Sequence, residues 1–435
     1  MFEKLNIKDY KFILFCFCIS IVSLLIVQNY FTEVFPDASI QMDVTKDEAH
    51  EKAKMFLANR GKDISGFMHA HRFGYLDDAN IHLQYILPPD EAGEILNNTN
   101  SFYWKNRWFK PQDKEEYFVK ISTTGNLAEF EHRIPEEAPG DFLSQKKALN
   151  IAKFFLVGNI NLKIDEWELE KSVTEKLPKR WDHVFEWKEK TFNIQGITHR
   201  ITLRVQGSEI GHYNEWIKIP EIQKREYAKV RDKNNFLNFF GSAGMFSTIF
   251  LILIAIIIRT QTQDIRWKTA FLYAGIISIL TILLKINNLP LTLYWFDNDD
   301  SLISWITTIF LLDIIINPII NGILLGVIIA GAESLYRDQY HHHISFRHIL
   351  SPQGMQSKSF FNSAIIGISL TFATFAFQTI YYLISNKLGG WSPRQVPNFD
   401  SYATYIPWIG VLLGGLRPAI SEEALSRMFS ISFLK

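Results

Sequence analysis

Residues 239–258 read Phe239-Phe240-Gly241-Ser242-Ala243-Gly244-Met245-Phe246-Ser247-Thr248-Ile249-Phe250-Leu251-Ile252-Leu253-Ile254-Ala255-Ile256-Ile257-Ile258, twenty positions without a charge. A bilayer core is about 30 Å thick and takes about 20 apolar helical residues to cross. The stretch therefore reads as a transmembrane helix and fixes a membrane fold class. Before it, residues 32–236 carry 30 Lys/Arg and 33 Asp/Glu; residues 237–435 carry only 12 and 10. That fall divides the chain into a water-facing block and a lipid-facing block. Over all 435 residues, 45 basic side chains balance 45 acidic ones. Nucleic acid as a partner is thereby excluded on whole-chain charge, because it asks for a basic excess. Cys16 and Cys18 both lie in the first apolar run, so there is no disulfide framework from which to read a redox compartment.

Six stretches have the length and apolarity of spans: Phe12–Phe31, Phe239–Ile258, Thr269–Leu284, Leu302–Ala330, Phe361–Ser385 and Tyr402–Ile420. The first follows Lys4, Lys8 and Lys11, as a signal peptide would. Its apolar run is longer than a signal core, however, and Gln28-Asn29-Tyr30-Phe31 lacks a small-x-small cleavage site, so residues 1–31 read as an uncleaved anchor. Arg259, Arg266 and Lys268 flank the link after the second span, and Arg337, Arg347 and Lys358 fall in the link after the fourth. Asp297, Asp299 and Asp300 stand without Lys or Arg between the third and fourth. Positive loops stay cytoplasmic. The arrangement is then N-terminus inside, residues 32–236 outside, and five further crossings in residues 237–435. The fourth stretch holds Asp313, Asn317, Pro318 and Asn321. An ionisable residue in a span is a functional suspect; the plainer reading is a helix kinked at Pro318, with Asp313 bonded to a neighbouring Ser, Thr or backbone group.

The water-facing block reads as a repeat. Val44-Thr45-Lys46-Asp47-Glu48-Ala49 with Ala53-Lys54-Met55-Phe56-Leu57 has its counterpart in Leu143-Ser144-Gln145-Lys146-Lys147-Ala148 with Ala152-Lys153-Phe154-Phe155-Leu156. Thr45 and Ser144 suit N-caps, each before a helix with Ala at i and i+4. After each helix come alternating segments that turn at Gly125 and around Gly207. The expected fold class is an α-helical polytopic membrane domain plus an extracytoplasmic α+β domain of two repeated helix-hairpin lobes. The lobes resemble the small helix-plus-sheet modules called PepSY domains. Chemistry is sparse in this block. His69 and His71 alternate as strand residues do, and without a third ligand at useful spacing a strand surface is the better reading than a metal site. Phe102-Tyr103-Trp104 to Trp108-Phe109 reads as a core or sheet-face stripe rather than a grip for a peptide or glycan.

One motif carries chemistry: Ser421-Glu422-Glu423-Ala424-Leu425-Ser426-Arg427, at the end of the last apolar run. An ionised acid at mid-bilayer costs about 2.5–3.5 kcal/mol on insertion scales, so two adjacent ones need a pair or a use. On an α-helix Glu423 and Arg427 are i and i+4 and form a natural ion pair. Glu422 points about 100° away, free to face a cavity and act as a general base on water. On soluble helices the same string commonly means a salt-bridged, solvated face.

The arrangement, with Tyr405-Ile406-Pro407-Trp408, the small-residue run from Gly410 to Ala419, and Tyr381-Tyr382 with Gly389-Gly390-Trp391-Ser392-Pro393 before it, resembles the first motif of the type II CAAX prenyl endopeptidases, the CPBP intramembrane proteases. The resemblance covers about residues 350–435. It implies peptide-bond hydrolysis of a membrane or lipidated peptide or protein substrate, with Glu422 matching the water-activating glutamate and Glu423 and Arg427 matching its supporting pair. Because the family is classed with the metalloproteases, it also implies a divalent metal such as zinc. The chain departs from the family pattern downstream. The family's later Phe-x-x-x-His and His-x-x-Asn/Asp motifs have no counterpart in Met428 to Lys435, so the expectation is a truncated member that is inactive alone. His341, His342, His343 and His348 lie upstream, where a titratable interfacial loop fits better than metal ligands. The competing expectation is a non-enzymatic receptor or chaperone that binds a protein partner through residues 32–236. A transporter ranks third, because no inverted repeat is visible. The Lys/Ile/Asn/Phe-rich usage suggests a bacterial plasma membrane.

Overall fold

The structure is a computed structural model that describes residues 5–34, 40–261, 265–340, 351–390, 396 and 399–435, apart from the side chains of Thr32, Pro89, Arg417, Ser426 and Arg427. In chain order its main elements are α1 (Ile7–Val34), α2 (Lys46–Asn59), β1 (Met68–Tyr75), α3 (Asp77–Ile86), α4 (Pro89–Asn98), β2 (Phe102–Phe109), β3 (Glu116–Ser122) and β4 (Leu127–Arg133). There follow α5 (Gln145–Gly158), β5 (Trp167–Lys176), β6 (Trp181–Glu189), β7 (Thr198–Gln206) and β8 (Glu209–Lys218). The remainder is helical: α6 (Glu221–Gln261), α7 (Trp267–Asn287), α8 (Leu302–Tyr340), α9 (Lys358–Lys387) and α10 (Pro407–Glu422).

Among the described residues five helices are long and apolar enough to cross a membrane: α1, α6, α7, α8 and α9. The sixth expected span starts later than Tyr402. Phe399–Ala403 is a 3-10 turn and Pro407 opens the helix, so α10 has 16 residues. From Glu423 to Ile431 the backbone continues in π-helical register.

The contacts divide the chain into two compact units. One comprises Met1–Ser39, Gln84–Gly93 and Tyr340–Pro397. In it α1 lies along α9: Ser369 Oγ donates to the Cys16 carbonyl at 3.0 Å, and Lys358 Nζ pairs with Asp9 at 2.7 Å. The other unit holds the sheet, α6, α7, all of α8 but its last residue, and α10.

The sheet has eight strands in the order β1-β2-β3-β4-β8-β7-β6-β5, each antiparallel to its neighbour. The two runs of four meet where Glu129–Glu131 lie opposite Asn214–His212. The expected hairpins are β3–β4 and β7–β8; the further pairs β1–β2 and β5–β6 extend the sheet on either side. A helix covers each run. Thr45 caps α2 through a capping box with Glu48, while Ser144 takes the N-cap position of α5 without a side-chain bond. The alanine pairs do what their spacing requires: Ala49, Ala53, Ala148 and Ala152 are fully buried, letting both helices approach the sheet closely. Phe56 then meets Phe130 edge-on and Phe155 meets Tyr213 in the same way, and the Arg60 guanidinium sits over both Phe130 and Phe155. At the β7–β8 turn Gly207 has φ +60°, and a Cβ there would come within 2.7 Å of the Asp141 amide.

α6 leaves the sheet without a break, so the charged run Glu221–Lys233 is the first part of a 41-residue helix that becomes a span. α7 packs on α8 through small residues. A Cβ on Gly326 would stand 2.6 Å from the Ala274 Cβ, and one on Gly322 would stand 2.7 Å from the Ala274 carbonyl. Close backbone approach of this kind drives helix association in lipid. Within α8, residues Ile309–Ile316 are π-helical immediately before Pro318, whose ring cannot continue the α-helical ladder. Asp313 lies in that segment and pairs with Lys285 of α7 at 2.7 Å. A cation on the neighbouring helix, not a hydroxyl or backbone group, is therefore its partner.

Candidate functional site

The site begins at the end of α7. Asn287 accepts the Tyr405 amide on its carbonyl at 3.1 Å and the Ile406 amide on its side-chain oxygen at 2.8 Å. These bonds end the loop and aim α10 along α7. Pro418 interrupts the α10 ladder, and Ser421 Oγ donates to the Pro418 carbonyl at 3.0 Å. Glu422 is the last α-helical residue and Glu423 the first in π register, where Ser430 Oγ reaches the Leu425 carbonyl five residues back. The 100° step between neighbouring side chains thus holds only as far as Glu422.

The inward face of this segment is apolar. Ala424 is buried against Ile277 and Ile329, and Phe429 is buried among Ile252, Ile256, Ile328 and Ala332. Glu422 and Glu423 are exposed. A cavity of about 420 Å³ beside them is lined by Leu284, Asn321, Leu324, Leu325, Ile328, Gly414, Pro418 and Ser421. Glu422 is next in sequence to this lining but not part of it. The Arg427 side chain, the histidines 341–343 and 348, and Trp391-Ser392-Pro393 lie outside the described residues.

A second Glu-x-x-x-Arg was passed over in the sequence, where Arg337 reads as a loop charge. Glu333 is buried in α8 and receives Arg337 Nε at 3.2 Å. The signal was its i,i+4 spacing at a span end. Nearby, Arg259 at the end of α6 pairs with Asp338 at 2.8 Å.

In the sheet, β1 places His69 and His71 on one face, and α2 brings His50 to them. His50 Nδ1 is 3.1 Å from His69 Nε2, which is also 3.1 Å from the Asn106 side-chain oxygen, and Trp108 stacks beneath. The third imidazole comes from a helix 19 residues earlier, which strand alternation cannot reveal. Even so, no group of three or more His, Cys, Asp or Glu among the described residues is arranged to hold a metal ion. Burial, then the neighbouring His50, pushes His69 down to about 3; burial, then Lys46, pushes His71 down to about 4. The aromatic stripe is core: Phe102, Tyr103, Trp104, Trp108 and Phe109 are all buried.

A polar groove of about 560 Å³ opens over the second run of strands. In its wall His199 is buried between Glu189 on Nδ1 at 2.7 Å and Glu215 on Nε2 at 2.9 Å. Burial opposes the imidazolium, but the two carboxylates outweigh it and hold His199 at about 9. Asn100 donates to Glu215 at 2.8 Å and Asn126 to Asn100 at 3.2 Å, which carries the network to the groove's rim.

Fold and sites together define the class: a polytopic membrane protein whose helices carry an eight-stranded α+β sheet domain. No family model, curated protein or solved structure matches the chain.

Proposed function

We propose that the chain carries the water-activating acid pair of an intramembrane endopeptidase of the CAAX type that acts on membrane or lipidated peptides. The observation that supports this best is the place of the acid pair: Glu422 and Glu423 sit where α10 passes into π register, beside a cavity of mixed lining. π-Helical turns recur at functional sites, and adjacent carboxylates at a span end are costly unless used. In this reading Glu422 takes a proton from water as the oxygen attacks the scissile carbonyl. The C–N bond then breaks and the proton passes to the leaving amine. Glu423 and Arg427 support Glu422.

Zinc, which the resemblance implies, does not fit the donors at hand. Two carboxylates that belong to no group of three or more metal-capable side chains among the described residues fall short of the three protein ligands of a catalytic zinc site. The metal therefore enters no step of the mechanism.

We also read the sheet domain as extracytoplasmic, its two runs as copies of one helix-and-strand unit, and the membrane as a bacterial plasma membrane with the N-terminus inside. The positive-inside pattern motivates the sidedness, and the contact of Arg107 with the Tyr294 and Phe296 carbonyls of the acidic loop is consistent with it. The test is Glu422→Gln at the chromosomal locus, with membrane-protein termini compared by mass spectrometry. Uncut membrane proteins accumulating in the variant support the peptidase, and identical termini overturn it.

One observation favours a second reading, a binding module. The groove at His199 is ligand-sized and lined with side chains, Asn98, Asn126 and Asn161 among them, that can both donate and accept hydrogen bonds.

A further inference from the structure

We infer that the sheet domain positions α10, with Asp400 as the positioning residue. The inference deepens the peptidase reading only in what α10 carries; the coupling itself rests on separate contacts. Asp400 lies in the turn Phe399–Ala403, seven residues before α10 begins. Its carboxylate is gripped by β1 at both oxygens: Arg72 donates to Oδ2 at 2.7 Å and the Phe73 amide to Oδ1 at 2.9 Å. The Phe399 ring meets Phe73 edge-on at 4.9 Å. Both carboxylate and guanidinium are largely shielded, at 19% and 23% side-chain exposure, so the pair is far less screened than a surface bridge.

From Asp400 the chain has only a short path to α10, and Asn287 at the end of α7 pins it through the Tyr405 and Ile406 amides. The start of α10 is therefore held from two sides, one belonging to the sheet and one to the membrane helices. On β2, Arg107 holds the loop after α7 at the Tyr294 and Phe296 carbonyls, both at 2.7 Å. The same Arg72 that grips Asp400 lies over the Trp295 ring at 5.0 Å. β1 and β2 thus hold the loop that leaves α7 and the turn that leads into α10. The position of the helix bearing Glu422 is tied to β1 through Asp400.

The test uses the full chain in lipid nanodiscs with Cys16→Ala and Cys18→Ala, spin-labelled at Lys114→Cys in the loop after β2 and Val411→Cys on α10, both exposed. The expected result is one narrow distance distribution, at least twofold broader with Asp400→Ala and narrowed again by the swap Arg72→Asp with Asp400→Arg. Asp400→Asn, which keeps an acceptor for the Phe73 amide, is the milder variant should Asp400→Ala fail to fold, and it is expected to broaden the distribution less. Lys62→Ala, which breaks the separate pair with Glu209, is expected to change nothing. An unchanged width in both Asp400 variants overturns the inference, and so does equal broadening with Lys62→Ala. Because this readout is a distance, it is independent of peptidase activity and fails separately from it.

Discussion

Lys285 of α7 donates to Asp313 of α8 at 2.7 Å, joining two membrane helices through opposite charges. Removing one partner leaves the other ion in lipid, whereas replacing both with apolar residues removes the problem. Asp313→Ala is expected to destabilise the bundle by about 1–2 kcal/mol, less than the mid-bilayer figure because Lys285 sits in the last turn of α7 and can reach the interface. The double variant Lys285→Leu with Asp313→Leu should recover most of that loss. Denaturant-induced unfolding in mixed micelles checks both, and a double variant worse than the single one contradicts the pairing.

Gly326 faces the Ala274 Cβ at 2.6 Å from its own would-be Cβ, so α8 and α7 have no room there. Gly326→Ile should cost about 1–3 kcal/mol by forcing the helices apart. Gly275→Ala on α7 meets open space and should be neutral. Thermal unfolding in detergent separates the two, and equal midpoints would remove the packing argument.

Arg107 is buried with Glu116 at 2.8 Å and with three acceptors in the loop after α7: the Tyr294 and Phe296 carbonyls and the Asn298 side chain. Arg107→Ala leaves those carbonyls without a donor and Glu116 with Arg133 alone, and should lower stability by about 2–4 kcal/mol. Arg107→Lys should not restore it, because a point charge cannot reproduce the planar fork. Amide exchange in residues 294–298 is the readout, and native protection in Arg107→Ala would contradict the assignment.

The sheet's histidines give its stability two opposed pH limbs. His69 and His71 titrate at about 3 and about 4 when folded, against about 6.5 unfolded. As pH falls from 6.5, the unfolded chain takes up protons that the folded sheet refuses, so stability drops. His199 behaves oppositely. Held at about 9, it contributes fully below 6.5, and its contribution fades as pH rises toward 9. Tryptophan-detected melting should peak near neutrality, and His199→Gln should flatten the alkaline limb. A midpoint constant from pH 4 to 9 contradicts both assignments.

The membrane helices were legible because length and apolarity decide them, and the helix over each half of the sheet because its alanines share one face. The outer strands were not. β5 reads Trp167-Glu168-Leu169-Glu170-Lys171, since an edge strand pairs on one side only and can stay charged and exposed. α10 starts at Pro407 rather than Tyr402, where Asn287, more than a hundred residues away, claims the amides of Tyr405 and Ile406. The Lys285–Asp313 pair, the His50 approach and the Asp400 grip share that cause. Each is a contact between distant segments, which local periodicity does not encode. At Glu422 the motif was plain in the sequence, but its exposed position beside the cavity lining, rather than in it, required the fold.

The most direct measurement is cleavage of a membrane peptide by native membranes containing the chain, run in oxygen-18-labelled water. If Glu422 activates water for hydrolysis, one labelled oxygen appears in each new carboxyl terminus, and Glu422→Gln abolishes both cleavage and label. Cleavage and label undiminished in Glu422→Gln would contradict the peptidase reading.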